Sequence, residues 1–462
     1  MIGDDLADPP ILELGPDFYD AVKPAAFPQA IPRFRNRRWA ERVGLGDLTD
    51  DDWTRHFARF EPLPGNLPEP LALRYHGHQF RHYNPEIGDG RGFLFAQVQV
   101  EGGRLLDLGT KGSGTTPYSR TADGRLTLKG GVREVLATEM LDALGVNTSK
   151  SFALFETGEQ LVRGDEPSPT RSAVLTRLSH GHIRIGTFQR LAFLGESANI
   201  ARLTRYCLAT LFGETPDADD SANAMRLLDL AAGATATLAA SYLAAGFVHG
   251  VLNSDNINVI GESFDYGPWR FTPYWEADFT AAYFDRHGLY AFGRQPEAIH
   301  WDLAQLGGSL ALIGDQAALA AVLNGWGERF EDALVAALLG RLGIDVGEVE
   351  ADRALAGHLI RALETREASI DRLFFDWRGG RDPGAELYPS LSFRGLAHAL
   401  EGRTRPPTHP YWLGSGPCSM HIEEVEAIWA AIATSDDWKL FEDKVRAIRE
   451  MGEAMDDHGS AG

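Results

Sequence analysis

The chain of 462 residues is 44% hydrophobic and 24% charged, a composition that is ordinary for a soluble globular protein and argues against a disordered or fibrous one. Its 65 acidic residues against 44 Lys and Arg give a formal net charge of -21, which disfavours nucleic acids and anionic membranes as partners. Two cysteines, Cys207 and Cys418, are too few for a disulfide framework. The first residues carry no signal or transit pattern, so we expect a cytoplasmic protein.

The first predicted elements are a Pro- and Arg-rich arm and a small sheet. Frequent prolines over residues 1–70 predict extended backbone that wraps the rest of the chain. From Gly92, the runs GFLFAQVQV and RLLDLGTK with a GG turn between them predict a β-hairpin. GGVREVLATEMLDALGV has apolar residues at helical spacing and ends at Gly145, which predicts a helix. SFALFE and SAVLTRL predict two further strands.

The remainder of the chain has a mainly helical pattern from about Gly186 onward. Leu227 to Val248 is its most apolar stretch, but Asp229 and many Ala, Gly and Thr favour a buried helix over a membrane span. The sequence thus predicts an α+β protein of two lobes. The predicted parts are an N-terminal arm over 1–70, a small β-rich N-lobe over 71–185, a larger helical C-lobe over 186–452 and a flexible tail over 453–462.

Residues typical of metal-nucleotide chemistry follow this order of elements. Lys111 ends a predicted strand and Glu134 lies on the next helix, as in the kinase bridge that positions phosphates, although such a pair alone is more often an ordinary surface pair. In kinase-like loops that begin His-Gly-Asp, the Asp is the base, an Asn five residues later binds metal, and an Asp-x-Gly aspartate is the second ligand. Counting from His249 assigns Asn256 and Asp265 to the metal positions.

The same count places Val251 where the base should be. Valine cannot accept a proton, so transfer of a γ-phosphate with the usual base is disfavoured, whereas Asp255 remains available from another direction. We therefore expect a bound nucleotide with Mg²⁺ or Mn²⁺, since oxygen ligands suit both ions. Two alternatives stay open at this point: a silent module that binds nucleotide without reacting, and a kinase.

A glycine-rich stretch and several arginines add candidate phosphate contacts. In IGDGRGF, Gly88 and Gly90 let backbone approach a phosphate, and Arg91 is able to bind one in bidentate fashion. Arg177 and Arg184 lie near the predicted lobe junction, where they either bind phosphate or pair with the abundant acids. The three histidines of YHGHQFRHYNP lack a fourth spaced ligand, which favours structural hydrogen bonding over zinc.

Together these motifs resemble the selenoprotein O family of kinase-like proteins, over roughly Phe18 to Leu312. The resemblance rests on the stretches GHQFRHYNPEIGDGRG, KGSGTTPYSRTADGR, GGVREVLATEM, VLTRLSHGHIRIGTF, GFVHGVLNSDN, DYGPWRF and YAFGRQPEAIHWDLAQL, in that order. It implies a protein-kinase-like fold and a protein adenylyltransferase. Such an enzyme binds ATP in a reversed orientation and transfers AMP to Ser, Thr or Tyr hydroxyls of proteins, its own chain included, and releases pyrophosphate.

The resemblance also implies roles for single residues. Asp255 is the implied proton acceptor, Glu134 the partner of the lysine, and Asn256 and Asp265 the magnesium ligands. The implied nucleotide-binding residues are Gly88, Gly90, Arg91, Lys111, Asp123, Gly124, Arg177, Arg184 and Asp265. The family's C-terminal cysteine or selenocysteine is not recognisable after about residue 400, and Cys418 is not at the end of the chain, so no redox role is implied for it.

Overall fold

The structure, a computed structural model, describes residues 9–100, 102–164 and 166–457. Its strands are β1 Tyr19–Ala21, β2 Ile31–Arg35, β3 Leu71–Leu73, β4 Gly77–Gln79, β5 His82–Asn84, β6 Leu94–Gln99, β7 Leu105–Lys111, β8 Leu126–Thr127, β9 Lys150–Leu161, β10 Thr170–Ser179, β11 Phe247–Val248 and β12 Arg270–Phe271. Its α-helices are α1 Arg37–Arg42, α2 Asp50–Phe57, α3 Leu128–Ala143, α4 Ile185–Phe193, α5 Ser197–Tyr206, α6 Asp220–Ala245, α7 Gln295–Leu310, α8 Gln316–Asn324, α9 Trp326–Leu342, α10 Val349–Glu364, α11 Ile370–Asp376, α12 Leu391–Ala399, α13 Ile422–Ser435 and α14 Lys439–Asp456. The protein is therefore α+β, with an antiparallel sheet followed by a helical region.

An eight-stranded antiparallel sheet organises the first part of the chain. Its order is β1-β3-β6-β7-β10-β9-β2, with β8 beside β10. The predicted hairpin is confirmed as β6 and β7, and its turn contains Gly102 and Gly103 with φ of 95° and 86°, a conformation that favours glycine. The two further predicted strands are confirmed as β9 and β10, which pair with each other. In this register Lys111 ends β7 opposite Leu175 of β10, two residues before Arg177.

The Pro- and Arg-rich segment takes part in this sheet. Its strands β1 and β2 form the two edges, beside β3 and β9. Its helix α2 begins with a capping box between Thr49 and Asp52 and lays Trp53 and Phe57 on one face of the sheet. Both rings contact Phe152 of β9, with centroids 5.0 and 5.2 Å apart. The segment thus contributes to the core of the sheet as well as enclosing it.

Helix α3 covers the opposite face of the sheet and confirms the predicted helix. Thr127 caps its first turn by accepting the N–H of Gly130, and the chain leaves it through Gly145 at φ 75°. Val132, Val135 and Leu136 are fully buried against the sheet, which fixes the rotation of the helix. This rotation brings Glu134 beneath the end of β7.

Helix α6 forms the centre of the helical region and packs against α7 and α9. It is the one helix among the described residues that is long and apolar enough to cross a membrane, but 67% of its most apolar window is buried inside the protein. The predicted buried helix is thus confirmed. Gly246, with φ 68°, ends it in a left-handed cap and turns the chain into β11 and the following loop.

The last helix returns to the sheet region. α14 packs against α3, and Arg449 Nε lies 2.7 Å from a carboxylate oxygen of Glu139 on that helix. It runs through Asp456, so the beginning of the predicted tail, residues 453–456, is helical rather than flexible, because its apolar residues Met451 and Ala454 are buried. Residues 458–462 of that tail lie outside the described residues.

Candidate active site

A cleft of about 450 Å³ opens between the sheet and the helical region. Segments that are far apart in sequence meet there: residues beside β4, the loop after β5, the end of β7 and the loop that follows it, the last part of β10, the start of α4 and the loops that follow β11. The predicted residues that line the cleft are Gly88, Gly90, Arg91, Lys111, Arg177, Arg184, Asp255, Asn256 and Asp265. Residues that are scattered over more than 170 positions in the sequence are therefore brought to one surface.

The loop before β6 needs glycine because the chain behind it is close. A Cβ on Gly88 would lie 2.5 Å from the ring of Tyr118, and one on Gly90 would lie 2.9 Å from the carbonyl oxygen of that tyrosine. Neither approach is possible for a real side chain. The glycines thus let backbone form this wall of the cleft, with exposed Arg91 next to them.

Lys111 and Glu134 form a buried ion pair at the back of the cleft. Their side chains are only 5% and 1% exposed. Burial lowers the pKa of the Lys111 ammonium group, and the neighbouring Glu134 carboxylate opposes this shift. Glu134 itself does not line the cleft, whereas the lysine that it pairs with does.

Asp265 lies between three cations. One carboxylate oxygen is 2.6 Å from Arg177 Nη1, the other is 2.7 Å from Arg184 Nη1, and Lys111 Nζ is 3.8 Å away. Burial alone would raise the pKa of Asp265, but the two arginines and the lysine hold it well below its usual range. Its backbone has φ 59°, an uncommon value for a residue with a side chain that is concentrated at functional sites. The carboxylate is thus ionised, the state that a metal ligand requires.

Arg184 connects three parts of the cleft through one guanidinium group. Besides Asp265, it donates to the backbone carbonyl of Asp255 over 2.8 Å and to the Asp89 carboxylate over 3.3 Å. Asp89 also accepts the N–H of Leu73 on β3. Sequence reasoning missed Asp89, although it lies between the two glycines of a stretch that was expected to bind phosphate.

Buried polar contacts fix the loop from His249 to Asn256. His249 donates its backbone N–H to the side chain of Gln295 over 3.0 Å, and Gln295 donates in turn to the carbonyl of Phe247. The ring nitrogen Nε2 of His249 is 2.9 Å from the carbonyl of Phe264, the residue before Asp265. Burial lowers the pKa of His249, which favours its neutral form. Gln295 was also missed, because it lies far away in sequence on α7.

The buried cationic side chains of the cleft are paired, but Asp255 and Asn256 each have a side-chain oxygen atom without a hydrogen-bond partner among the described residues. Asp255 is 8% exposed, and its Oδ1 is buried without a hydrogen-bond partner among the described residues; the same is true of Asn256 Oδ1. Burial raises the pKa of Asp255 to about 6, against the effect of Arg184. Gly77 permits this arrangement, since a Cβ there would lie 3.1 Å from the Asp255 carboxylate. Val251 lines the cleft as well, at the position counted for a base.

Two predicted residues, Asp123 and Gly124, lie just beyond the rim of the cleft. The last lining residue before them is Ala122. Asp123 is half exposed and pairs with Arg163 over 2.8 Å, whereas the carbonyl of Gly124 accepts the N–H of Gly114. They are thus near the other residues but do not face the same space.

Two of the three histidines of YHGHQFRHYNP make side-chain hydrogen bonds, as predicted, and the third is exposed. His76 Nδ1 lies 2.8 Å from the hydroxyl of Tyr83, and His78 Nδ1 lies 2.7 Å from the amide nitrogen of Gln189. His82 is exposed. Over residues 9–100, 102–164 and 166–457, no group of three or more His, Cys, Asp or Glu could hold a metal ion.

The sequence model of one protein family, described as "Protein adenylyltransferase SelO", matches residues 6–386 of this chain. The chain belongs to the SelO family. Two relatives called "Protein nucleotidyltransferase YdiU" are a Synechocystis sp. protein, 39% identical over 96% of this chain and 97% of its own length, and a Gloeobacter violaceus protein, 41% identical over 96% and 95%. A Cereibacter sphaeroides protein with the same name is 36% identical over 83% of this chain and 76% of its own length.

Membership in the SelO family confirms the resemblance and extends it over a longer part of the chain. The match continues past Leu312, where the similarity was expected to end, and the two longer alignments cover 96% of the chain. The SelO family assigns the protein to the nucleotidyltransferases, enzymes that move a nucleotide from one compound to another.

Proposed function

We propose that the protein is an adenylyltransferase that transfers AMP from ATP to Ser, Thr or Tyr hydroxyls of proteins. The observation that carries this proposal is the Asp255 carboxylate: it is buried, has a free oxygen, and lines the same cleft as Lys111, Arg177 and Arg184. A proton acceptor beside a cluster of cations is what attack on a phosphorus requires. The relatives' name, "Protein nucleotidyltransferase", supports protein acceptors.

In the proposed reaction Asp255 accepts the proton of the acceptor hydroxyl. The hydroxyl oxygen forms a bond to the α-phosphorus, the bond from that phosphorus to the bridging oxygen of the β-phosphate breaks, and pyrophosphate leaves with the bonding electrons. Lys111, Arg177 and Arg184 stabilise the negative charge that develops on the phosphate oxygens. Their burial makes each interaction stronger than in water and holds the side chains in place before the substrate arrives.

The oxygen donors of the cleft fit a divalent cation. Asn256 Oδ1 is buried without a partner in the described chain, and Asp265 is ionised and lines the cleft. Mg²⁺ is commonly held by one or two protein oxygens together with phosphate oxygens of its nucleotide, so a ligand set of this size is sufficient. Bound there, Mg²⁺ or Mn²⁺ would neutralise phosphate charge and orient the triphosphate.

We also propose that the two lobes have the architecture of a protein kinase. The ion pair between a strand lysine and a helix glutamate, with loops from a helical region opposite, is the arrangement of protein kinases. The side chain at Val251 has no proton-accepting atom, and the acid lies at Asp255, four residues later. A reversed nucleotide, with its α-phosphate towards Asp255, accounts for that displacement.

The test uses the full chain with Mg²⁺ and ATP labelled at either the α- or the γ-phosphate. We expect covalent label on protein from the α-position only, with release of pyrophosphate. Asp255→Asn, which keeps the shape of the side chain, should leave only a small fraction of the label while nucleotide binding survives. The exposed Asp278→Asn should behave like the original chain. Transfer of the γ-label would identify a kinase, and binding without transfer of either label would identify a silent module.

A further inference from the structure

An exposed group of aromatic side chains lies beside the loop that carries Asp255. Tyr283 and Phe284 are 85% and 45% exposed, and their rings meet edge to face with centroids 5.1 Å apart. Phe284 also contacts Phe80, with centroids 5.9 Å apart. We call these three residues the aromatic ledge. Neighbouring exposed aromatic rings are typical of an interaction surface, because they offer a large apolar area at a small cost in conformational entropy.

The aromatic ledge is attached directly to the loop that carries Asp255. The backbone N–H of Phe80 donates to Asn253 Oδ1 over 2.9 Å, and the hydroxyl of Tyr290 donates to the same oxygen over 2.7 Å. The rings of Phe80 and Tyr290 are in contact, with centroids 5.1 Å apart. Asn253 is two residues before Asp255. The ledge therefore has a fixed position relative to the proposed proton acceptor.

The segment that exposes Tyr283 and Phe284 is itself held in place. The preceding Ala281 packs on the same loop so closely that a Cβ on Gly250 would lie 3.0 Å from its methyl group. The following Asp285 accepts the N–H groups of Leu289 and Tyr290, each over 2.8 Å. The two aromatic side chains thus project from a well-connected turn, and their exposure is a property of the fold.

Charge next to the ledge indicates the kind of partner. Arg286 and His287 lie two and three residues after Phe284, beyond the buried Asp285, and both are exposed. Arg286 makes no ion pair with any residue that the structure describes. Arg81, next to Phe80, pairs with Glu297 over 2.9 Å. In a chain with a net charge of -21, an exposed arginine without a partner at this position favours a ligand that carries an acidic group.

We propose that the aromatic ledge docks the acceptor protein: an extended segment that has an apolar or aromatic side chain a few residues from the modified hydroxyl, and an acidic residue close to it. This proposal rests on the proposed function. A hydroxyl that reaches Asp255 brings its neighbours in the chain with it, and these advance only about 3.3 Å per residue. They must therefore lie over the surface next to the catalytic loop, where the ledge is.

The test uses nine-residue peptides with a central Tyr, Ser or Thr in an otherwise Ala, Gly and Lys background. A single Phe is placed at each other position in turn, and the matched control peptide has Ala there. We expect Phe at one or more positions to raise kcat/KM for AMP transfer by about tenfold, the size typical of a buried aromatic contact. Exchange of a neighbouring Lys for Glu should raise kcat/KM further at low salt only.

Variants connect this preference to the ledge. In the double variant Tyr283→Ala and Phe284→Ala the advantage of Phe peptides should disappear, whereas Leu391→Ala, which removes a residue that is 76% exposed on α12, should keep it. Tyr283→Phe keeps the ring and should also keep the preference. The proposal is overturned if Phe raises kcat/KM at no position of the peptide, or if the preference for Phe survives in the double variant. It is also overturned if the wild-type chain attaches AMP to Tyr283 itself and Tyr283→Phe abolishes this labelling.

One further measurement separates this proposal from the proposed function. Without peptide, water can replace the hydroxyl, so ATP is split slowly into AMP and pyrophosphate. The double variant should keep the wild-type rate of this reaction, because the ledge lies outside the nucleotide cleft. If the wild-type chain releases pyrophosphate but shows no preference for any Phe peptide, only the docking proposal fails. If the wild-type chain releases no pyrophosphate and labels no acceptor, the proposed function fails, and the docking proposal with it.

Discussion

The two sides of the cleft differ in whether their buried polar groups have partners. On the cationic side, Lys111 and Arg177 on the sheet and Arg184 just before α4 are buried, and each is paired with a carboxylate. On the loop side, the Oδ1 atoms of Asp255 and Asn256 are buried without partners among the described residues. Leaving a buried polar atom unpaired costs free energy, so such atoms are retained where a ligand completes them. In the proposed function the paired side binds phosphates, and the unpaired oxygen atoms bind a cation and accept a proton.

The largest effect is expected where the two sides meet, at Asp265. Asp265→Asn removes a proposed metal ligand and leaves Arg177 and Arg184 without their shared anion. We expect AMP transfer to fall by about a thousandfold and the free energy of unfolding to fall by about 3 kcal/mol, because buried cations lose their partner. Activity assays and denaturant unfolding measure both. The control Asp123→Asn breaks an exposed pair and should cost less than about 1 kcal/mol. Full activity in Asp265→Asn would contradict the proposed metal site.

Asn256 tests whether a cation completes the unpaired side. Asn256→Ala removes the free oxygen, and we expect the Mg²⁺ concentration for half-maximal activity to rise by at least about tenfold. Titration of AMP transfer with Mg²⁺ at saturating ATP gives this midpoint. Leu391→Ala serves as the surface control. An unchanged midpoint with normal activity would mean that the Asn256 amide does not contact the ion.

The pH dependence of AMP transfer tests whether Asp255 is the proton acceptor. Burial raises the pKa of Asp255 to about 6, and only the ionised form accepts a proton. Below pH 6 we therefore expect kcat/KM to fall by about tenfold per pH unit, and a bound cation would move the midpoint lower. The residual activity of Asp255→Asn should lack this dependence. The same pH profile in both proteins would assign the titration to another group.

The smallest effect concerns stability. Asp302 on α7 is 1% exposed, and neither of its carboxylate oxygens has a partner in the described chain. Burial raises the pKa of Asp302 well above its usual range, and the negative charge of Asp255 adds to this shift. The folded state thus binds more protons than the unfolded state, and the free energy of unfolding falls as pH rises from about 4. We expect Asp302→Asn to stabilise the protein by about 1–3 kcal/mol at pH 8 and little at pH 4. Destabilisation at pH 8 would show that a cation pairs with Asp302.

Local patterns predicted the elements well, because hairpin, helix and turn signals act over few residues. Lys111 and Glu134 lie on neighbouring elements, and their pairing follows from packing one helix on one sheet. The roles of Asp89 and Gln295 were not predictable, since each depends on a contact with a residue distant in sequence. The contribution of β1 and β2 to the sheet edges was also missed, because frequent prolines hide two short strands that need partners to form.

The orientation of the nucleotide can be observed in a crystal structure of the complex with Mg²⁺ and an ATP analogue that cannot be cleaved between its α- and β-phosphates. We expect the metal between Asn256 and Asp265, the triphosphate on Lys111, Arg177 and Arg184, and the α-phosphate facing Asp255. A γ-phosphate facing Asp255, or a metal bound elsewhere, would rule out the proposed transfer of AMP.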